Sequence, residues 1–181
     1  MFLLWCAVAG CTRHAPAPLG ENVREDIPDQ ESWQVDLRIS EDGEPRIAIT
    51  APYLAEYENK DSTYSLLSAS KNDPSERVTA YIFDQNGDSS ATMTADRLYY
   101  YDQERRFDAQ GNVRVVTRNG KHLESEQLLW FDADRKVRTP GFVRITTNLE
   151  QVQGYQLEAD EDLKTYTLKR VTGKREVPAS E

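Results

Sequence analysis

A pattern written three times between residues 93 and 173 constrains the fold more than any other feature of the sequence. Its most regular mark is a leucine: Leu98, Leu128 and Leu157 are separated by 30 and 29 residues. In the first two copies a glycine follows 13 residues after the leucine, so these copies keep one internal register. A repeat of this length predicts one supersecondary unit that stacks on copies of itself.

The repeat predicts β-strands. Apolar residues alternate with polar neighbours around Val113 and Val115, and again around Val143 and Ile145, which is the two-residue period of a strand with one solvated face. Clusters of Gly, Asn and Asp recur roughly every eight to twelve residues, as in all-β proteins. We therefore expect an all-β fold of stacked antiparallel hairpins. Either an open, elongated form or a closed barrel is possible, and stacking along an axis favours the open form.

The N-terminal segment predicts a lipid anchor. Residues 1–11 form an apolar run that ends in Val-Ala-Gly-Cys, which resembles a bacterial lipobox with Cys11 as the acylated residue. Two or more acyl chains on one residue anchor a protein stably. The run is too short to span a bilayer, which takes about 20 residues, and it has no positively charged start. We expect it to be the truncated end of a lipoprotein-type signal.

The remaining chain divides into three further regions. Residues 12–32 are rich in Pro, Ala and charge and predict a flexible tether, residues 33–173 form the β domain, and residues 174–181 are a charged tail. The only cysteines are Cys6 and Cys11. The β domain therefore contains neither a disulfide nor a thiolate site.

The order and spacing of the motifs resemble the LptC family, the periplasmic bridge component of lipopolysaccharide export, and the related LptA/OstA-type domain. The matching positions are 95–101, 111–115, Gly120, Leu123, Ser125, Leu128, 131–132, 141–145, Gly154, Leu157 and Asp160. The resemblance covers residues 33–173.

The resemblance implies a twisted, partly open β-jelly roll that holds acyl chains of lipopolysaccharide. It also implies a periplasmic protein that is anchored to a membrane. One of its sheet edges would dock on an inner-membrane ABC transporter, and the other would dock on an LptA-like partner. The family usually has an N-terminal transmembrane helix where this chain has a lipobox. The sequence therefore does not decide which membrane holds Cys11, and we expect the inner membrane.

An acyl-chain groove needs apolar side chains that face inward. The strand pattern assigns this direction to Val35, Leu37, Ile39, Ile47, Ile49, Met93, Ala95, Val113, Val115, Val143, Ile145 and Leu168. Each buried acyl CH₂ contributes about 0.8 kcal/mol, so several chains bind without special polar contacts. The same residues also fit a dry, filled core.

Charge argues against nucleic acid as a partner, because the chain has a formal net charge of -9. The arginines between residues 97 and 144 either meet lipid phosphates or form a solvated outer face that protects sheet edges from aggregation. Among them are Arg105, Arg114 and Arg135.

The sequence predicts no catalytic residue, no metal site and no cofactor. His122 stands alone, and paired carboxylates such as Asp132 and Asp134 are typical of a solvated strand face. Two other function classes fit the residues. The rings of Tyr99 to Tyr101 would suit an extracytoplasmic glycan-binding lipoprotein, and exposed strand edges would suit a lipoprotein that binds another envelope protein.

Overall fold

The computed structural model describes residues 27–58, 63–70, 73, 75–84 and 86–175. The predicted signal with Cys11, most of the predicted tether and the tail from residue 176 onward lie outside this part. Within it the structure consists of eleven strands: β1 (Gln30–Glu41), β2 (Glu44–Glu58), β3 (Thr63–Ser68), β4 (Val78–Phe83), β5 (Ser89–Ala95), β6 (Arg97–Tyr101), β7 (Arg106–Thr117), β8 (His122–Phe131), β9 (Lys136–Thr146), β10 (Glu150–Asp160) and β11 (Tyr166–Arg175). The all-β prediction is confirmed.

The strands form one antiparallel sheet in the order β11-β10-β9-β8-β7-β5-β4-β2-β3-β6, with β1 on the other side of β2. Two long strands each have two partners on one side. In β2, residues 47–50 pair with β4 and residues 53–58 pair with β3. In β7, residues 106–110 pair with β6 and residues 114–117 pair with β5. Because β3 pairs with β6, the sheet is partly ring-like without being a regular barrel.

The long strands bend halfway along their length, and we call this line the bend. The pairing register shifts in the middle of β7, β8, β9 and β10, and Asn112 and Gln156 have φ angles of 46° and 54° there. Such bulges turn a strand and increase its twist. The bend divides the sheet into two facing halves. The first half-sheet holds β4, β5 and the end of β7, and the second holds β3, β6 and the start of β7.

The repeat directs its leucines into the core between the half-sheets. Leu98, Leu128 and Leu157 are only 0%, 5% and 2% exposed. The two repeat glycines differ. Gly111 lies at the bend with φ 77°, and a Cβ there would lie 2.5 Å from Asp96 Oδ2, whereas a Cβ on Gly141 would meet its nearest atom at 3.8 Å. Only the first glycine is required by sterics.

Hairpin turns close both half-sheets at the side opposite the bend, and we call this side the mouth. The repeats contribute three equivalent turns to the second half-sheet. In each, an aspartate carbonyl accepts a hydrogen bond from the N–H of the residue three positions later, which has positive φ: Asp102 with Arg105, Asp132 with Arg135, and Asp160 with Leu163. These turns face the β1–β2, β4–β5 and β7–β8 turns of the first half-sheet.

Candidate functional site

An apolar cavity of about 40 Å³ lies between the half-sheets. The first half-sheet lines it with side chains of β2, β4, β5 and β7, and the second with side chains of β6 to β9. Among the described residues, the only charged one in its wall is Glu161, at the mouth. The volume is well below the roughly 300–1,000 Å³ of pockets that hold small ligands. A molecule the size of an acyl chain therefore does not fit unless the half-sheets separate.

The structure distributes the predicted groove residues over three positions. Four line the cavity: Ile47, Ile49, Met93 and Val115. Four are buried in the surrounding core: Ala95, Val113, Val143 and Ile145. Four are partly buried and pack against that core from the two edge strands: Val35, Leu37 and Ile39 on β1, and Leu168 on β11.

Sequence reasoning missed most of the second half-sheet's wall. Its cavity-lining residues include Leu98, Phe107, Leu128 and Trp130. A two-residue period applied to β6 and β8 would have found Leu98, Leu128 and Trp130, because Leu98 and Leu128 are buried while their chain neighbours are less so. The continuous aromatic run in β6 concealed this alternation.

An aromatic ladder covers the inner face of the second half-sheet near the mouth. The rings of Tyr100 and Phe107 stack at 4.5 Å between centroids, and those of Phe107 and Trp130 stack at 5.2 Å. The Tyr100 hydroxyl donates to Asp102 Oδ1 at 2.8 Å. Burial, and then this hydrogen bond, raise the pKa of Tyr100 to about 12. The ladder places large apolar faces inside the mouth with its polar ends toward the turns.

Six charged side chains bridge the mouth, and we call this cluster the clasp. Its members are Glu41, Arg46, Arg105, Asp132, Arg135 and Glu161. Glu41 and Arg46 belong to the β1–β2 hairpin of the first half-sheet, and the other four belong to the turns of the second. The clasp therefore joins the two half-sheets.

Arg46 is the centre of the clasp, with a side chain only 5% exposed. Its Nη2 donates to Glu161 Oε2 at 2.7 Å, and its Nη1 donates to the Phe83 carbonyl at 2.7 Å. Its Nε lies 3.4 Å from Asp132 Oδ1, and its guanidinium carbon lies 5.7 Å from the centre of the Trp130 ring. Arg46 therefore contacts two residues of the cavity wall, Trp130 and Glu161, at the end of the aromatic ladder.

Arg105 forms the outer rim of the clasp. It donates to the Asp132 carboxylate, and its Nη2 donates to Glu41 Oε1 at 2.9 Å. The Arg105 hydrogen bond lowers the pKa of Glu41 below its ordinary range. Asp132 is only 8% exposed. The interpretation of Asp132 as a solvated strand residue is therefore wrong, because the bend brings a buried arginine against it.

A second group of aromatic side chains lies on the outer face of the second half-sheet. Tyr57 and Tyr64 stack at 4.8 Å, and Tyr64 lies 6.1 Å and 5.7 Å from Tyr99 and Tyr101. The Arg106 guanidinium carbon lies 3.9 Å from the centre of the Tyr101 ring. Such contacts across strands stabilise a sheet without any ligand.

A family model described as "Lipopolysaccharide-assembly, LptC-related" matches residues 32–176. The chain belongs to the LptC family. This family match includes all eleven strands apart from the first two residues of β1. A comparison with functionally curated proteins gives no match.

Membership in the LptC family assigns the protein a role in lipopolysaccharide transport and confirms the resemblance seen in the sequence. The family consists of transport proteins and indicates a periplasmic protein associated with the inner membrane. Among the described residues, no helix has the length and apolar character to cross a bilayer.

Proposed function

We propose that the protein is a periplasmic bridge of lipopolysaccharide export that holds acyl chains between its half-sheets. The observation that carries this proposal is a cavity wall that is apolar on both half-sheets and charged only at the mouth. Burial of acyl CH₂ groups against this wall supplies about 0.8 kcal/mol each. Ile49 and Val115 of the first half-sheet and Phe107 and Leu128 of the second contribute to this wall.

The lipid passes from an inner-membrane ABC transporter to an LptA-like protein through the two sheet edges. In the described residues, β1 pairs only with β2, and β11 pairs only with β10. Free strand edges of this kind extend by pairing with a strand of a partner. Trp33 on β1 and Val171 on β11 are 66% and 54% exposed, which supports contact with other chains at both edges.

The anchor belongs to the same proposal and rests on the sequence. Acylation of Cys11 at the lipobox would hold the β domain close to the inner membrane through the tether. Mass spectrometry of the protein purified from cells tests this, because a diacyl or triacyl Cys11 adds a mass that a Cys11→Ser variant lacks.

In-cell photo-crosslinking tests the groove. A photoreactive residue replaces Val115, which lines the cavity, and in a second strain replaces its neighbour Arg114, whose side chain is 66% exposed. Because neighbouring strand residues face opposite sides, the two probes differ in direction and not in depth along β7. We expect lipopolysaccharide adducts at position 115 and none at position 114.

The opposite result would support another function. A well-folded protein without adducts at position 115 has a dry core, and its role would then be to bind envelope proteins through the edges of β1 and β11. Adducts of equal strength at both positions would indicate lipid near the surface and not in a groove.

A further inference from the structure

We propose that the clasp is the gate of the cavity, which opens to admit an amphiphile and closes over its acyl chains. The existence of the gate follows from the contacts at the mouth. The nature of the molecule that passes through it rests on the proposed function.

The first argument is the position of the clasp. At the bend, seven long strands continue from one half-sheet to the other, so separation there would break backbone pairing. At the mouth, the two halves are bridged by side chains of the clasp and by Lys121 Nζ, which donates to the Leu163 carbonyl. Opening at the mouth therefore leaves the strand ladders of both half-sheets intact.

The second argument is the imperfect bonding of the closed clasp. Four buried side-chain polar atoms in the described residues make no hydrogen bond, and three of them lie here. Trp130 Nε1 is one of them, and the other two, Arg46 Nε and Asp132 Oδ1, form an ion pair at 3.4 Å without hydrogen-bond geometry. A buried polar atom without a hydrogen bond is destabilising, because it has lost its contact with water. Burial of ion pairs also carries a desolvation cost that offsets much of their attraction. Water or an oxygen of a ligand removes these costs when the mouth opens.

The third argument is size. A cavity of about 40 Å³ is well below the roughly 300–1,000 Å³ of ligand pockets, so a groove that binds an acyl chain must change its volume. Of the two joints between the half-sheets, only the mouth permits this without loss of strand pairing. Opening of the gate is thus the step that turns a nearly filled core into a groove.

Quenching of Trp130 fluorescence by acrylamide tests the gate without lipid. The full chain carries Trp5→Phe and Trp33→Phe, which leaves Trp130 as the single tryptophan. Glu41→Gln and Arg105→Gln loosen the rim, where both side chains are partly exposed, at 40% and 48%. Because the loss of an exposed ion pair shifts an equilibrium only modestly, we expect the quenching constant to rise about threefold.

Two matched variants serve as controls. Arg105→Lys keeps the charge at the rim but loses the planar fork that reaches both Asp132 and Glu41, so its quenching should lie between that of the parent and that of Arg105→Gln. Glu124→Gln makes the same chemical change as Glu41→Gln in an outer-face pair with Arg144, whose Nη1 lies 3.4 Å from Glu124 Oε2. Circular dichroism confirms that each variant is folded. Equal quenching in Glu41→Gln, Arg105→Gln and Glu124→Gln would overturn the gate.

Association of cis-parinaric acid, a fluorescent fatty acid, separates the gate from the groove. If both proposals hold, the rim variants bind it about threefold faster than the parent. Raised quenching with no binding by any variant keeps the gate and refutes the groove as an acyl site. Binding at one rate in all variants, together with unchanged quenching, refutes the gate and keeps the groove.

Discussion

The bend and the mouth are the two places where the half-sheets meet, and different chemistry holds them together. At the bend the backbone itself crosses, and buried neutral groups support it: Ser125 Oγ donates to the Phe142 carbonyl at 2.8 Å and lies 3.4 Å from Thr139 Oγ1. At the mouth the contacts are ion pairs between turns, centred on Arg46. The comparison indicates a fixed hinge at one side and a separable closure at the other. Four comparisons between paired variants test this difference.

The largest expected loss in the free energy of unfolding is at the mouth. Asp132→Ala leaves the buried Arg46 and the rim residue Arg105 without their shared carboxylate. Removal of one partner from a buried ion pair lowers the free energy of unfolding by about 3–5 kcal/mol. Urea denaturation measures this loss. Asp134→Ala is the control: this carboxylate lies two residues away in the same turn, is 48% exposed and pairs with Arg138, so we expect at most about 1 kcal/mol. Equal losses would mean that the clasp is solvated.

At the bend the corresponding variant is Gly111→Ala. Gly111 and Gly120 have the same φ of 77°, but only at Gly111 would a Cβ collide with a neighbour, Asp96. The backbone strain of a non-glycine residue at positive φ alone costs about 1 kcal/mol, and strain plus the collision costs about 3 kcal/mol. The difference between Gly111→Ala and Gly120→Ala in urea denaturation isolates the collision. If both variants lose the same free energy, the bend is looser than the structure shows.

The sequence predicts the repeat and its register because these depend on local periodicity. Leu98, Leu128 and Leu157 occupy equivalent buried positions, and the aspartates of the three mouth turns follow from the same repeat. The bend is less accessible to sequence reasoning. Gly111 marks it in the first repeat, while β10 makes its bulge at Gln156, a residue with no intrinsic preference for positive φ.

The clasp was beyond sequence reasoning for a physical reason. Arg46 and Glu161 are 115 positions apart, and no period links them; the contact exists only because the bend folds the sheet onto itself. The sequence does not distinguish an arginine that bridges the mouth from one on the outer face, so Arg105 and Arg135 are grouped with Arg114 in the sequence analysis. The structure separates them: Arg105 and Arg135 bridge the mouth, whereas Arg114 pairs with Glu124 on the outer face.

Truncation of two valines compares the hinge side with the cavity. Val143 is fully buried near the bend, while Val115 is 8% exposed and lines the cavity. Val143→Ala removes contacts on all sides and should cost about 2 kcal/mol in free energy of unfolding, and Val115→Ala should cost about 1 kcal/mol because part of its surface already faces empty space. Urea denaturation of both variants measures the two losses. A larger loss at Val115 would show that the half-sheets pack tightly there.

The smallest expected effect is the acid response of the rim. Arg105 lowers the pKa of Glu41 in the folded protein, so the folded state binds this proton less tightly than the unfolded chain does. The stabilisation is fully present above the ordinary glutamate pKa of about 4.3 and is lost as the pH falls through the lowered pKa. Urea midpoints measured from pH 7 to pH 3 should fall less in Glu41→Gln than in the parent, while Glu124→Gln should follow the parent. Parallel curves for Glu41→Gln and the parent would show that Glu41 and Arg105 are not coupled in solution, and the rim would then contribute nothing to closure of the mouth.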